Sequence, residues 1–117
     1  MKEWKDDLRE ELTLLFLLNA TKFEAVVHEL INYNEKKGFL LEVLYGFMEI
    51  KPVRRWVIMN IFVNVSSVEL GRKHCAEEKI YVRFLNFIND EKEAIRLGVL
   101  KLIRNVSFEW ETEEVIV

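Results

Sequence analysis

The same short pattern occurs three times in this chain. "LLNATKF" (17–23), "FVNVSSV" (62–68) and "IRNVSFE" (103–109) each carry an Asn, then a small apolar residue, then a hydroxyl residue. Asn19 and Asn64 are 45 residues apart, and Asn64 and Asn105 are 41 apart. A unit of this size cannot bury its apolar face alone. A chain that repeats itself at this interval therefore stacks like units into one continuous core.

The units read as helical. Four Gly and one Pro in 117 residues leave too few turn residues for a many-stranded sheet, which excludes a propeller of similar period. Apolar spacing places a helix over 5–19, with Leu8, Leu12, Leu15, Phe16 and Leu18 as its apolar face and Asp6, Asp7, Glu10 and Glu11 toward its start, where the helix dipole favours acid. It places a short helix over 24–32, a turn over 34–38 and a helix over 38–48. Pro52 opens the next helix, where its missing N–H costs nothing, and that helix runs to about Val65, apolar on nearly every side. Short helices near 68–78 and 79–88, a turn at 89–93 and a long helix over 92–106 repeat the scheme, with Glu111–Val117 as the start of another short helix. A recurrence of about 40–47 residues with short, medium and long helices per unit predicts an all-α, armadillo-like solenoid rather than a two-helix array. It comprises about two full repeats plus flanking helices in a single domain over 1–117, either capped by its charged first helix or part of a longer solenoid. The expected core includes Leu15, Leu18, Val27, Leu30, Leu41, Leu44, Ile58, Ile61, Phe62, Phe84, Leu85, Ile88, Val99, Leu102 and Ile103.

Composition narrows the function classes. Half the residues are hydrophobic, enough for a core, and the formal charge of −3 argues against non-specific nucleic-acid binding. The charged N-terminus lacks a secretory apolar core, and Trp56–Val65 is about half a membrane span and holds Asn60 and Asn64. The single Cys75 cannot form an intrachain disulfide, which suits a reducing compartment such as the cytoplasm. His74–Cys75 is the one hint of reactive chemistry, but adjacent helical residues point about 100° apart and no third orienting group is evident. Cys75 reads as a small buried hydrophobe. "HELINYNE" lacks the second His of a zinc helix, and no phosphate loop or metal cluster is visible. The reading is a chain that is not an enzyme and takes no cofactor or metal.

"IFVNVSSVELGRKHCAEEK", "VRFLNFIND" and "AIRLGVLKLIRNVSFEWE" resemble the armadillo-type Hgh family, whose members are folding factors for eukaryotic elongation factor two, the ribosomal translocase. The resemblance rests on Asn64, Ser66, Gly71, Arg72, Leu85, Arg96, Gly98, Arg104, Asn105, Phe108 and Glu109, covers 52–117 well, and extends loosely over 12–31. Ile95–Arg96 and Leu97–Gly98 stand where the family has a double Arg and a double Gly, and Val106–Ser107 where it has paired Cys. The resemblance implies a non-catalytic chaperone adaptor whose partners are elongation factor two and the ring chaperonin. The alternative function is a structural remnant that self-associates through exposed repeat ends or docks on a large complex such as the ribosome.

Two roles are open for the three Asn. An amide ladder along the third helices could hold an extended partner, since each amide both donates and accepts. Alternatively, each Asn caps its helix or ties it to the next repeat. A Trp four residues before the Asn would suit nuclear-localisation signals, but Leu15, Asn60 and Lys101 stand there. Arg55 and Arg96 are 41 residues apart, and with Lys101 and Arg104 they form a basic strip that either meets an acidic partner or pairs with Glu91 and Glu93. Arg54 reads as solvent-facing at its helix start. The candidate protein-binding groove is centred on Asn64, Arg96, Lys101, Arg104 and Asn105. Trp4, Trp56 and Trp110 read as packing residues, with Trp4 and Trp110 partly exposed near the ends.

Overall fold

The chain turns at Gly38 and Pro52 and after the hydroxyl residues Thr21 and Ser67, and also at 78–79, where Lys79 takes φ 53°, and at 89–92. The computed structural model describes residues 2–33 and 35–112. Their helices are α1 (Lys2–Ala20), α2 (Glu24–Asn32), α3 (Phe39–Ile50), α4 (Arg55–Ser66), α5 (Glu69–Glu77), α6 (Ile80–Phe84) and α7 (Glu93–Thr112). Short 3-10 turns at Pro52–Arg54 and Leu85–Phe87 open α4 and extend α6. No strand occurs among the described residues, so the all-α expectation holds.

The boundaries follow local chemistry. Gly38 takes φ 82°, a left-handed conformation open to glycine, and its N–H closes the preceding turn on the Ile31 carbonyl at 2.8 Å. Pro52 occupies the first turn position, as its ring geometry favours. The last helix runs beyond the expected 106, through Thr112. No Gly or Pro interrupts "RNVSFEWET", and Trp110 packs edge-on against Tyr81 with ring centroids 5.2 Å apart, which holds the added turns in place. The expected further helix at the tail falls on Glu111 and Thr112, which belong to α7, and on 113–117, which lie outside the described residues.

The three long helices lie side by side, with α4 in contact with both α1 and α7. Helix α4 also meets α3 and α5, so four neighbours surround it. This is why its sequence is apolar nearly all round: Val57, Ile58, Met59, Ile61, Phe62 and Val65 are all buried. Close approach requires small residues. A Cβ on Gly98 would stand 2.3 Å from Met59 Cγ, so a side chain at residue 98 would force Met59 or α7 to shift. Beside this contact, Tyr45, Phe62 and Phe84 form an aromatic cluster, with Phe62 and Phe84 centroids 4.8 Å apart. The Tyr45 hydroxyl donates to the Arg83 carbonyl at 3.0 Å, satisfying its one polar atom.

Two expected core residues are on the surface. Leu15 is 38% exposed and Leu85 45% exposed, whereas Leu14 is buried. In "LTLLFLL" apolar residues occupy every side of the helix, so spacing alone cannot select the face that meets α4. Arg54 also differs from expectation: it is buried, because α1 lies over it. Arg54 Nε donates to Glu10 Oε1 at 2.9 Å and its Nη2 to Asp7 Oδ1 at 2.7 Å, while Lys51 Nζ donates to the other Glu10 oxygen. The ion cluster fixes the α1 start onto the α4 start.

Two groups link this packing to pH. Hydrogen bonds from Lys51 and then Arg54 hold the Glu10 carboxyl below its ordinary value of 4.5. Burial holds the His74 imidazole below its ordinary 6.5, with its ring against Gly38. Both shifts are downward, so in each case the unfolded chain binds the proton more readily and stability falls as pH drops. Unfolding free energy is therefore expected to be level at neutral pH, to decline below 6.5 through His74, and to decline further below 4.5 through Glu10. In urea titrations across this range, His74→Phe should flatten the first decline and Glu10→Gln the second. An unchanged slope in His74→Phe would show that the ring titrates alike in both states.

Candidate functional site

The first two Asn-x-Ser/Thr patterns close α1 and α4, the third lies inside α7, which continues to Thr112, and in all three the hydroxyl donates back to a carbonyl of its own helix. Thr21 Oγ1 donates to the Leu18 carbonyl at 3.2 Å and to the Leu17 carbonyl at 2.7 Å. Ser66 Oγ donates to the Val63 carbonyl at 2.8 Å, and Ser107 Oγ to the Arg104 carbonyl at 2.6 Å. A hydroxyl that donates backward in this way keeps lone pairs free to accept. The amide of the following unit uses them. Asn64 Nδ2 donates to Thr21 Oγ1 at 3.2 Å and to the Leu18 carbonyl at 2.9 Å. Asn105 Nδ2 donates to Ser66 Oγ at 3.0 Å, with both residues buried. The repeated pattern is thus a lateral tie from one long helix to the one before it. Asn19, on the first long helix, is exposed and makes no side-chain hydrogen bond among the described residues.

The five residues of the candidate groove therefore have different surroundings. The Asn64 and Asn105 amides are directed at the preceding helix. Arg96 donates to the Asp90 carbonyl at 2.7 Å and ties the start of α7 to the turn before it. Arg55 does the equivalent one unit earlier, donating to the Met48 carbonyl at 2.9 Å, pairing with Asp90 at 3.4 Å and lying over the Phe87 ring. Lys101 and Arg104 are exposed, and among the described residues the Arg104 side chain reaches the Asn105 amide oxygen, at 3.4 Å. Glu109 pairs with Arg72 at 3.2 Å, which bolts α5 to α7.

The sequence reading missed the apolar half of the exposed α7 surface. Leu97 is 47% exposed and Phe108 53% exposed, and with Lys101 and Arg104 they fall at 97, 101, 104 and 108, a single helical stripe. The signal was present as apolar residues out of phase with the buried Ile95, Val99, Leu102 and Val106. The corresponding stripe of α4 carries Trp56, 48% exposed rather than packed, and half-buried Asn60 and Val63. On α1, Trp4, Leu8 and Leu15 are exposed.

Two open clefts adjoin these helices. One of about 540 Å³ lies between Val53–Trp56 and the Asn86–Lys92 segment. The other, of about 600 Å³, is lined by Glu69, Arg72, Lys73, Phe108 and Glu109. Burial pushes the Cys75 thiol up to about 12, so at neutral pH it carries no thiolate beside His74. Among the described residues no group of three or more His, Cys, Asp or Glu could hold a metal ion, and no helix is long and apolar enough to cross a membrane. No family model, curated protein or solved structure matches the chain.

If the Asn ties knit the stack, removing them has unequal costs. In dilute solution Asn64→Ala and Asn105→Ala should each destabilise by about 1–3 kcal/mol, since each strands a helix-end hydroxyl or leaves a buried gap. Asn19→Ala should stay within about 0.5 kcal/mol. Urea denaturation measures all three, and equal costs for Asn19 and Asn105 would contradict the assignment.

Proposed function

We propose that the chain is an armadillo-like helical-repeat module that acts by binding another protein and not by catalysing a reaction. The observation that carries this reading is the exposed stripe of α7, where Leu97 and Phe108 flank Lys101 and Arg104. Basic groups set among exposed apolar side chains suit an acidic segment with apolar anchors, because charge gives orientation and apolar burial gives affinity. Repeat spacing puts this stripe in line with Trp56, Asn60 and Val63 of α4 and with Glu11, Leu15 and Leu18 of α1, so α1, α4 and α7 offer one continuous strip. The binding groove then centres on Lys101 and Arg104. Asn64, Arg96 and Asn105 hold the helices that form it.

The resemblance to the Hgh family supports elongation factor two as the client, handled in the cytoplasm together with the ring chaperonin. A second reading, assembly or docking of a structural remnant, draws on a different observation: Leu12 and Phe16 of α1 are more than half exposed on a side away from α4.

The client reading is tested with purified elongation factor two and immobilised chain. Lys101→Glu with Arg104→Glu is expected to weaken capture at least tenfold, about 1.4 kcal/mol, and to leave the melting temperature within a degree or so of the parent, because both side chains are exposed. Undiminished capture by the double variant would remove the groove assignment, and absence of capture by the parent would remove this client.

A further inference from the structure

The ladder of ties has two filled rungs and two open ends. Asn64 fills the hydroxyl of α1 and Asn105 fills that of α4. Among the described residues, what remains is an amide without a hydroxyl, Asn19 on α1, and a hydroxyl without an amide, Ser107 on α7. Ser107 is already set as an acceptor, since it donates to the carbonyl three residues back as Thr21 and Ser66 do.

The apolar residues around the open ends match those around the filled rungs. On α4, Arg54, Val57, Ile61 and Asn64 lie on one helical stripe, whose two ends bond to α1. Val57 and Ile61 between them are buried. Forty-five residues earlier stand Arg9, Leu12, Phe16 and Asn19, the same stripe on α1, with Leu12 56% exposed and Phe16 70% exposed. On the other side of α4, Met59 and Ser66 are buried by Gly98 and Asn105 of α7. Forty-one residues later stand Leu100 and Ser107 on α7, and Leu100 is 53% exposed. The first long helix thus presents the surface with which α4 grips α1, and the last presents the surface with which α4 receives α7.

We propose that copies of this chain associate head to tail, with the Leu12–Phe16–Asn19 stripe of α1 in one copy packed on the Leu100–Ser107 side of α7 in the next, and Asn19 donating to Ser107 as the third rung. The occupant of each open face is a second copy because the two halves of the joint are both present on one chain, at opposite ends, in the register of the joints already formed inside it. The joint is heterologous, so association extends beyond a dimer unless the rotation closes a ring. It uses the side of α7 around Leu100, Arg104 and Ser107, so it shares Arg104 with the client stripe but not Lys101 or Phe108, and its test, made with no client present, is independent of the client reading.

Sedimentation velocity over a wide concentration range tests the joint without any other partner. The parent chain is expected to show a weight-average mass that rises with concentration past that of a dimer or levels at a ring. Phe16→Glu blocks the α1 face and Leu100→Glu the α7 face, and each alone should be monomeric at all concentrations. Mixed in equal amounts, the two variants should form a one-to-one dimer that grows no further, because each supplies the face that the other lacks. Circular dichroism melts check that both variants are folded, and Phe16→Lys with Leu100→Lys replace them if either glutamate disturbs its helix. A parent that stays monomeric, a single variant that assembles like the parent, or a mixture that remains monomeric would each overturn the proposal. A symmetric dimer abolished by one substitution and indifferent to the other would assign the faces to α1–α1 or α7–α7 pairing and overturn it too.

Discussion

The hydrogen bonds from the Asn64 and Asn105 amides to the hydroxyl that closes the preceding helix set the register of this fold. A helix that is apolar on most sides, such as α4, can slide or rotate against its neighbours with little change in buried area, because the hydrophobic effect is non-directional. Asn105 on Ser66 and Asn64 on Thr21 remove that freedom. A buried amide left unpaired costs more than the bond itself yields, so any other register is penalised. The remaining contacts fall into place around this choice: Gly98 comes opposite Met59, and Arg54 comes opposite Glu10 and Asp7.

The arginines serve the same end by another route. Arg55 and Arg96 each donate to a carbonyl in the segment just before their own helix, which fixes the angle at which the long helix leaves the turn. Arg72 joins α5 to Glu109 of α7, and Arg83 pairs with Glu42 while stacking on Tyr45. These arginines are thus engaged in ties between elements of the fold. On α7, Lys101 and Arg104 are instead exposed.

The helices and their order were legible in the sequence because they depend on local periodicity and on a few breakers. So was the central position of α4, since a segment apolar on all sides has to be surrounded. The face of α1 was not legible. "LTLLFLL" offers leucine in every direction, and which of Leu14 and Leu15 is buried depends on where α4 lies. Arg54 was misread for the same reason: its partners Glu10 and Asp7 are more than forty residues away, and only the stacking of α1 on α4 brings them together. For Asn64 and Asn105 the sequence allowed two roles, an outward ladder and an inward tie. The hydroxyl two residues after Asn19 and after Asn64 was the deciding signal, because it accepts from the amide of the following long helix.

The most direct test of this account is a double-mutant cycle on the buried rung, with Asn105→Ala, Ser66→Ala and the pair, read by urea denaturation. Residues joined by a bond of this kind are predicted to show a coupling energy of about 0.5–3 kcal/mol, so that the double variant is destabilised by less than the two single losses combined. Additive losses, with a coupling below about 0.5 kcal/mol, would mean that the amide and the hydroxyl act independently and that the long helices find their register by packing alone.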